Sequence, residues 1–203
     1  MSVATTKIAL VTSLLSLLPA LAHADSCLDR FKMLLVKGNG DGPVKIHVEQ
    51  EIVGGMTSTN YFYQAEPGHW MSEMIEPANM QWTLTYNNGM YSSKDKGQSW
   101  DKVRDVDNVA NAKAAKEQMQ ANLQTARDAS CGEQELDGVM HETVAGTYSA
   151  SGSFKTENHH KYWVNSDTGF IAKAFYHMKA DNFESKTTQM IEAAPDLDLP
   201  KPQ

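Results

Sequence analysis

The sequence contains little cysteine and little positive charge. Two of its 203 residues are cysteines, and 18 basic residues are outnumbered by 25 acidic ones, which gives a formal net charge of −7. Two cysteines cannot supply a four-thiolate zinc site. An acidic chain with no basic run is a poor partner for nucleic acid or for anionic membranes, because both carry negative charge. We therefore expect no nucleic-acid partner.

Long apolar runs are also missing, except at the start of the chain. Lys7 precedes an apolar stretch from Ile8 to Leu21, and Ala22 and Ala24 are small residues at the two positions that a signal peptidase recognises. The stretch is shorter than the roughly 20 residues that span a membrane as a helix. We expect residues 1–24 to be a signal peptide and the remainder, 25–203, to be a single domain that is periplasmic or secreted and not membrane-spanning.

The two cysteines, Cys27 and Cys131, both lie in the exported part of the chain. In an oxidising compartment an isolated pair favours a disulfide over a metal or redox site, and two unpaired thiols are the alternative. A bridge that closes a loop of about 100 residues is expected to stabilise the fold by roughly 4–5 kcal/mol.

Motifs that would indicate catalysis are scarce. The chain has no Gly-rich phosphate loop and no H-E-x-x-H zinc motif. Asp167-Thr168-Gly169 is the triplet that presents a catalytic carboxylate in aspartic proteases, but it occurs once and bulky Phe170 follows it. Two carboxylates must share a proton in such enzymes. Because Asn165 and Ser166 precede the triplet, the composition predicts a hairpin turn, and we expect neither an enzyme nor a cofactor.

Two histidine-containing stretches are candidate metal sites. In the first, His69 offers an imidazole ligand and Met71 offers a soft thioether ligand, and Met74 and Met80 lie nearby. Ligands of these two kinds hold copper in exported proteins. On a strand His69 and Met71 share a face, whereas Met74 points away. Methionine more often fills cores or adaptable apolar surfaces. A copper-handling protein is therefore an alternative function, and the first expectation is that no metal is bound.

The second stretch contains the adjacent residues His159 and His160, and His177 follows later in the chain. Adjacent strand residues point to opposite faces of a sheet, so these two histidines cannot both face one metal ion unless the strand bulges. Solvated polar strand residues are the expected outcome.

Periodicity predicts an α+β fold. A helix is predicted over Ser26–Val36 with Ser26 as its cap, and Asp107 is predicted to cap a second helix of about 108–129 with a thin, alanine-rich apolar stripe. Between the helices the apolar residues alternate with polar ones, and Asn87-Asn88-Gly89 is a strong hairpin signal. After Leu136 the alternation resumes, which predicts an antiparallel sheet. The Pro- and Asp-rich tail, 195–203, is expected to be ordered where it crosses the sheet.

One apolar face of this sheet has to be covered, and two modest helices are available for roughly eight strands. Incomplete cover would leave a cleft lined by aromatic residues and methionine, whereas complete cover would leave a closed core, and the residues alone leave both open. The best candidates for that face, and for contact with an apolar ligand, are Trp70, Met74, Met80, Trp82, Leu84, Tyr86, Trp163 and Phe175.

Two stretches resemble motifs of the periplasmic lipoprotein-carrier superfamily, the LolA-like and LolB-like proteins. Residues 161–170, which contain Trp163 and end in Thr168-Gly169-Phe170, are similar to its late strand-turn-strand motif, and residues 84–91 are similar to its Tyr/Asn-Gly hairpin. The resemblance implies a strongly curved, unclosed antiparallel half-barrel with helices over a concave face that holds acyl chains. Within that superfamily, the chain resembles an exported member that is not itself a lipoprotein chaperone.

The sequence thus favours an exported, non-catalytic protein that shelters a lipid or another apolar small molecule in a half-barrel cleft, with an envelope protein as a possible second partner. The alternatives are periplasmic copper handling and a protein-interaction module with a closed core.

Overall fold

The computed structural model describes residues 20–151 and 155–202. The two helices are α1 (Ala20–Lys37) and α2 (Asn108–Leu123). The strands of the described residues are β1 (Val44–Ile52), β2 (Thr57–Glu66), β3 (His69–Glu76), β4 (Trp82–Tyr86), β5 (Gly89–Ser93), β6 (Asp101–Asp105), β7 (Arg127–Leu136), β8 (Val139–Ser151), β9 (Lys155–Asn165), β10 (Ile171–Ala180) and β11 (Phe183–Ala193). The predicted signal peptide lies mainly outside the described residues.

All eleven strands of the described chain form one antiparallel sheet in the order β6-β5-β4-β3-β2-β1-β11-β10-β9-β8-β7. Each neighbour in the series from β1 to β6 is the next strand along the chain, and the same holds from β7 to β11. The two series meet where β1 pairs with β11. Because β6 and β7 are the two ends of the order, the sheet is an unclosed half-barrel, as predicted.

The register separates two faces of the sheet. Side chains alternate along each strand, so residues directly opposite one another across neighbouring strands share a face. One row across five strands consists of Gln64, Trp70, Thr85, Met90 and Arg104. We call the face that carries this row, and that the helices cover, the inner face. The opposite face is the outer face.

Helix α1 covers the inner face at the β8–β10 end of the sheet. Phe31 is fully buried and packs with Leu34, Val144 and Tyr162 in a continuous core. A Cβ at Gly146 would lie 2.7 Å from the Phe31 ring, so only glycine allows the ring to approach the strand so closely. Large side chains on α1 therefore pack directly against this half of the inner face.

Two further links hold α1 on the sheet. The predicted disulfide between Cys27 of α1 and Cys131 of β7 is present, which confirms the pairing. The Arg30 guanidinium donates to both carboxylate oxygens of Glu142 on β8, and the closest N–O distance is 2.6 Å. The half-buried Arg30–Glu142 pair lies beside the apolar core that α1 buries.

The outer face of β2–β5 is covered by the C-terminal tail rather than by a helix. Leu199 is buried with Met71, Leu84 and Tyr91, and Leu197 packs against the same cluster. The tail is also held by a 3.1 Å hydrogen bond between His69 Nε2 and the carbonyl oxygen of Pro200. The expectation that the tail is ordered where it crosses the sheet is confirmed.

Both predicted helices are present, with different ends. The first begins at Ala20 rather than at Ser26, because Ser26 lies within a continuous helix and is not a cap. The second begins after Asp107, whose carboxylate accepts the Ala110 N–H at 2.9 Å as predicted, but it ends at Leu123. Residues from Arg127 onward form the edge strand β7, whose first residues had been predicted to continue the helix.

Candidate functional site

Helix α2 crosses the inner face and is anchored to the strands near both of its ends. At its start, a Cβ at Gly68 in the β2–β3 turn would lie 2.8 Å from the Asn108 side chain. The Asn108 amide also donates to the side chain of Asn88 in the β4–β5 turn at 3.2 Å. At its end, the Thr125 hydroxyl donates to the carbonyl of Ser149 on β8 at 2.7 Å. The middle of the helix therefore crosses above the sheet.

A cavity of about 830 Å³ lies under the first half of α2, and we call it the wide cavity. Its floor is the inner face of β2–β5, where Phe62 and Trp70 stack with ring centroids 5.7 Å apart. Its roof is formed by Val109, Ala112 and Ala115 of α2. Alanine side chains are too short to reach the floor, so the space remains open. Val109 is 80% exposed, although it is the largest apolar residue of that half-helix.

A second cavity of about 330 Å³, the narrow cavity, lies between the C-terminal end of α1 and the strands β1 and β9–β11. It is lined by Leu34, Ile46, Met119 and Ile191, among others. Gln64 lines both cavities. The two cavities therefore adjoin on the inner face, and we call them together the cleft.

A cluster of three tyrosines and one histidine lies at the narrow cavity, and His160, Tyr162 and Tyr176 of this cluster line it. His160 Nδ1 lies 2.8 Å from the hydroxyl of Tyr162, and its Nε2 lies 3.2 Å from the hydroxyl of Tyr148. The Tyr176 ring meets the imidazole edge to face at 4.5 Å. Each ring nitrogen thus has a hydroxyl partner, and a neutral imidazole satisfies both by donating from one nitrogen and accepting at the other.

Burial sets the protonation of this cluster. Desolvation, with a smaller contribution from the charge of His159, lowers the pKa of His160 to about 3. Burial also raises the pKa of Tyr176 to about 12 and raises the pKa values of Tyr148 and Tyr162. All four side chains are neutral at physiological pH, so the wall of the narrow cavity carries no charge there.

The eight residues predicted to form one apolar face lie on two faces and in a loop. Trp70 and Met74 are on the inner face, and Trp70 lines the wide cavity. Met80 is in the connection between β3 and β4 and is 47% exposed. The other five side chains lie on the outer face: Trp82, Leu84, Tyr86, Trp163 and Phe175. The expectation of one shared face is therefore corrected.

The outer-face residues already have partners in the protein. Leu84 is fully buried in the cluster under the C-terminal tail, and Trp82 packs against that cluster. Tyr86 meets the His69 ring at 4.7 Å. Trp163 is covered by the ammonium groups of Lys161 and Lys173, which lie 4.6 and 4.9 Å from the centre of its ring. Phe175 lies further along the outer face, beside Thr188.

The cleft residues that the sequence did not indicate as ligand contacts include Ile46, Phe62, Met90, His160, Tyr162 and Tyr176. A signal for two of them was present. Phe62 and Met90 belong to the inner face once Trp70 is assigned to it, because the hairpin turns fix the strand registers. The prediction for the strand Trp82-Thr83-Leu84-Thr85-Tyr86 was wrong, because its large apolar side chains face the C-terminal tail and not the helices.

The candidate metal and protease motifs have structural explanations. His69 and Met71 do share a face, but His69 bonds to Pro200 and Met71 is buried beneath the tail. His160 faces the cleft while His159 faces outward, as the alternation predicted. The expectation that both are solvated is wrong for His160, which is packed between the hydroxyls of Tyr148 and Tyr162. Within residues 20–151 and 155–202 no group of three or more His, Cys, Asp or Glu side chains is placed so that it could hold a metal ion. The Asp167-Thr168-Gly169 triplet is the β9–β10 turn, in which Asn165 accepts two backbone N–H groups.

Comparison with known proteins gives structural neighbours only. No family model matches the chain, and no curated protein matches it. A LolA superfamily protein from Nitrosomonas europaea has 10% identity and a TM-score of 0.34 over 88% of this chain and 95% of its own. The MucA/MucB complex of Pseudomonas aeruginosa has 15% identity and a TM-score of 0.41 over 85% of this chain and 58% of that one.

A third solved structure, from Vibrio parahaemolyticus, is described as a domain of an outer membrane lipoprotein-sorting protein. It has 6% identity and a TM-score of 0.35 over 84% of this chain and 92% of its own. The superfamily named for the Nitrosomonas europaea structure is the one that the two sequence motifs resemble. In the part of the chain that is described, neither helix has the length and apolar character needed to cross a membrane.

Proposed function

We propose that this protein is an exported, non-catalytic binding protein that holds a lipid or another apolar molecule in the cleft between α2 and the inner face of the sheet. The observation that carries the proposal is the wide cavity of about 830 Å³ beneath an alanine-rich helix. Pockets that hold drug-sized ligands typically measure about 300–1,000 Å³ and are lined mainly by apolar and aromatic side chains.

The lining of the cleft supports an apolar ligand. Phe62, Trp70 and Met90 contribute large apolar surfaces in the floor of the wide cavity. Apolar surface in contact with water is unfavourable, so a hydrocarbon chain that displaces this water would stabilise both itself and the cleft. Methionine adapts to irregular ligands because its side chain is unbranched and flexible.

The polar groups of the cleft support binding rather than catalysis. His160 is held neutral between tyrosine hydroxyls, so it is neither charged nor free to take up a proton near neutral pH. Such a wall can accept an apolar chain without leaving a buried charge unpaired. We further propose cleavage near Ala24, a periplasmic or secreted location, and an envelope protein that delivers or receives the ligand.

Native mass spectrometry of the protein, purified from the exported fraction without detergent, tests the proposal. We expect mass beyond that of the polypeptide, which organic extraction releases as lipid or hydrocarbon. Denaturation should release the same mass, because binding depends on the folded cleft. A bare mass, together with no gain in melting temperature from any added lipid or detergent-like chain, would contradict the proposal and favour the closed interaction module.

A further inference from the structure

The wide cavity has one end that differs chemically from the rest of the cleft. The row Gln64, Trp70, Thr85, Met90 and Arg104 crosses five neighbouring strands, and all five residues line the cavity. The row changes from aromatic in the middle of the sheet to cationic at its β6 edge. A ligand that lies along this row would have an apolar part over Trp70 and a polar part at Arg104.

Arg104 is an exposed cation at the rim of the cavity, and no other side chain engages it. Among residues 20–151 and 155–202 no carboxylate lies within 4 Å of its guanidinium. The two nearest acids along the chain have other partners: Asp105 is paired with Lys102 at 2.6 Å, and Asp107 accepts the Ala110 N–H. The guanidinium therefore keeps all five of its N–H donors for a ligand.

Thr85 supplies a second, independent observation from the floor of the same cavity. The residue is only 1% exposed, and its hydroxyl oxygen has no hydrogen-bond partner in the described chain. A buried hydroxyl without a partner is unfavourable, and such groups are rare in folded proteins. Thr85 is two strands from Arg104, a backbone separation of about 10 Å, which an arginine side chain largely spans.

From this arrangement we infer that the cleft is selective for a single-chain amphiphile with an anionic head, a carboxylate or a phosphate monoester. The hydrocarbon chain lies over Trp70 and Phe62 beneath α2. The head group accepts hydrogen bonds from the Arg104 guanidinium at the rim, and one of its oxygens reaches the Thr85 hydroxyl. Arginine suits such heads because its planar donors match carboxylate and phosphate oxygens in pairs. The inference rests on the proposed function, which it narrows to one class of ligand.

The test compares three ligands with the same twelve-carbon chain: dodecanoate, dodecyl phosphate and dodecanol. Each is titrated calorimetrically into the delipidated protein below its aggregation concentration. We expect either anion to bind at least about tenfold more tightly than dodecanol, because one charge-assisted contact typically contributes a factor of this size. The tighter of the two anions identifies the head group as carboxylate or phosphate.

Substitutions of Arg104 and Thr85 test whether these two residues cause the preference for an anionic head group. Arg104→Gln should weaken the anions about tenfold and leave dodecanol within about twofold. Lys102→Gln is the matched control, because it removes the same charge from the same strand on the outer face, and it should leave all three affinities within about twofold. Thr85→Val should weaken the anions severalfold while the melting temperature of the empty protein stays the same or rises, since the valine has no hydroxyl to leave unpaired.

The outcomes separate this inference from the proposed function. Equal binding of dodecanoate and dodecanol to the native protein, or equal losses in Arg104→Gln and Lys102→Gln, would overturn the head-group selectivity and leave the apolar cleft standing. Failure of all three ligands to bind would overturn both.

Discussion

The two helices cover two halves of the same sheet face with opposite results. Under α1 the large side chains of Phe31, Leu34 and Leu35 pack against the strands, and only the smaller cavity of about 330 Å³ remains at the C-terminal end of the helix. Under the first half of α2 the side chains that face the sheet are mainly alanine, and a cavity of about 830 Å³ remains. Both helices lie on an apolar sheet, so the size of the helix side chains decides which half is core and which is cleft.

The outer face of β2–β5 is a further apolar surface of the sheet, and the C-terminal tail covers it. This face carries more aromatic residues than the floor of the wide cavity, and two leucines of the C-terminal tail pack against them. The tail forms neither helix nor strand and lies directly in the apolar groove, whereas α2 is anchored near both ends and spans the wide cavity.

The largest effect is expected in the closed half, from Phe31→Ala. The residue is fully buried, so the substitution leaves a cavity and should lower the free energy of unfolding by about 3–5 kcal/mol. Chemical denaturation at neutral pH measures the change. Val36→Ala on the exposed side of the same helix is the control and should cost less than about 1 kcal/mol. Equal losses in the two variants would show that α1 is not a core helix.

The second effect concerns pH. Burial lowers the pKa of His160 to about 3, whereas an unfolded-chain histidine titrates near 6.5. Between these values the unfolded chain binds a proton that the folded chain does not bind. The free energy of unfolding should therefore fall as the pH drops below about 6.5, by about 2.5 kcal/mol at pH 4.5.

Denaturation curves of the native protein and of His160→Asn, recorded from pH 7.5 to pH 4.5, measure this contribution as the difference between the two slopes. The tyrosines around His160 stay neutral throughout this range, so they do not add to the difference. Parallel slopes would mean that His160 titrates normally in the folded protein.

A smaller loss of about 2 kcal/mol is expected for Leu199→Ala, at the low end for a buried leucine because the tail can partly resettle. Binding of an apolar probe should be unchanged, since this leucine lies on the outer face. Thermal denaturation and a probe titration measure the two quantities. Asp198→Ala, an exposed neighbour, is the control. Loss of probe binding in Leu199→Ala alone would place the ligand under the tail.

The smallest effect on stability, and a clear effect on binding, is expected for Ala115→Leu. A leucine at this position extends into the wide cavity and should weaken binding of an apolar fluorescent probe at least about tenfold. Stability should change by less than about 1 kcal/mol, because the new side chain enters open space. Ala114→Leu, on the same helix and not part of the cavity lining, should bind the probe normally.

Much of the fold follows from local sequence signals. The Asn87-Asn88-Gly89 turn, the Asp107 cap and the strand alternation around Trp82 all fix local structure, and all are present. Strand β7 was missed because Arg127–Leu136 is mostly polar: it is an exposed edge strand whose only strand neighbour is β8, so no apolar alternation marks it.

The candidate site was only partly predictable for a different physical reason. The sheet is apolar on both faces around β3 and β4, and the alternation shows that two faces exist but not which one the helices cover. That choice depends on contacts between residues far apart in sequence, such as Leu199 with Leu84 and Phe31 with Gly146. Trp70 was assigned to the cleft and Leu84 was assigned there too, although they belong to opposite faces.

Photo-crosslinking with a long-chain alkyl diazirine tests the central claim most directly, because it reports where the hydrocarbon lies. The delipidated protein is irradiated with the probe, and the modified residues are located by peptide mass spectrometry. If the ligand lies between α2 and the inner face, we expect label at Phe62, Trp70, Met90 and Ala112. The Ala115→Leu variant should lose this label. Two results would contradict a ligand in the cleft. One is label concentrated on the tail and on the outer-face residues Trp82 and Leu84, and the other is label that Ala115→Leu leaves unchanged.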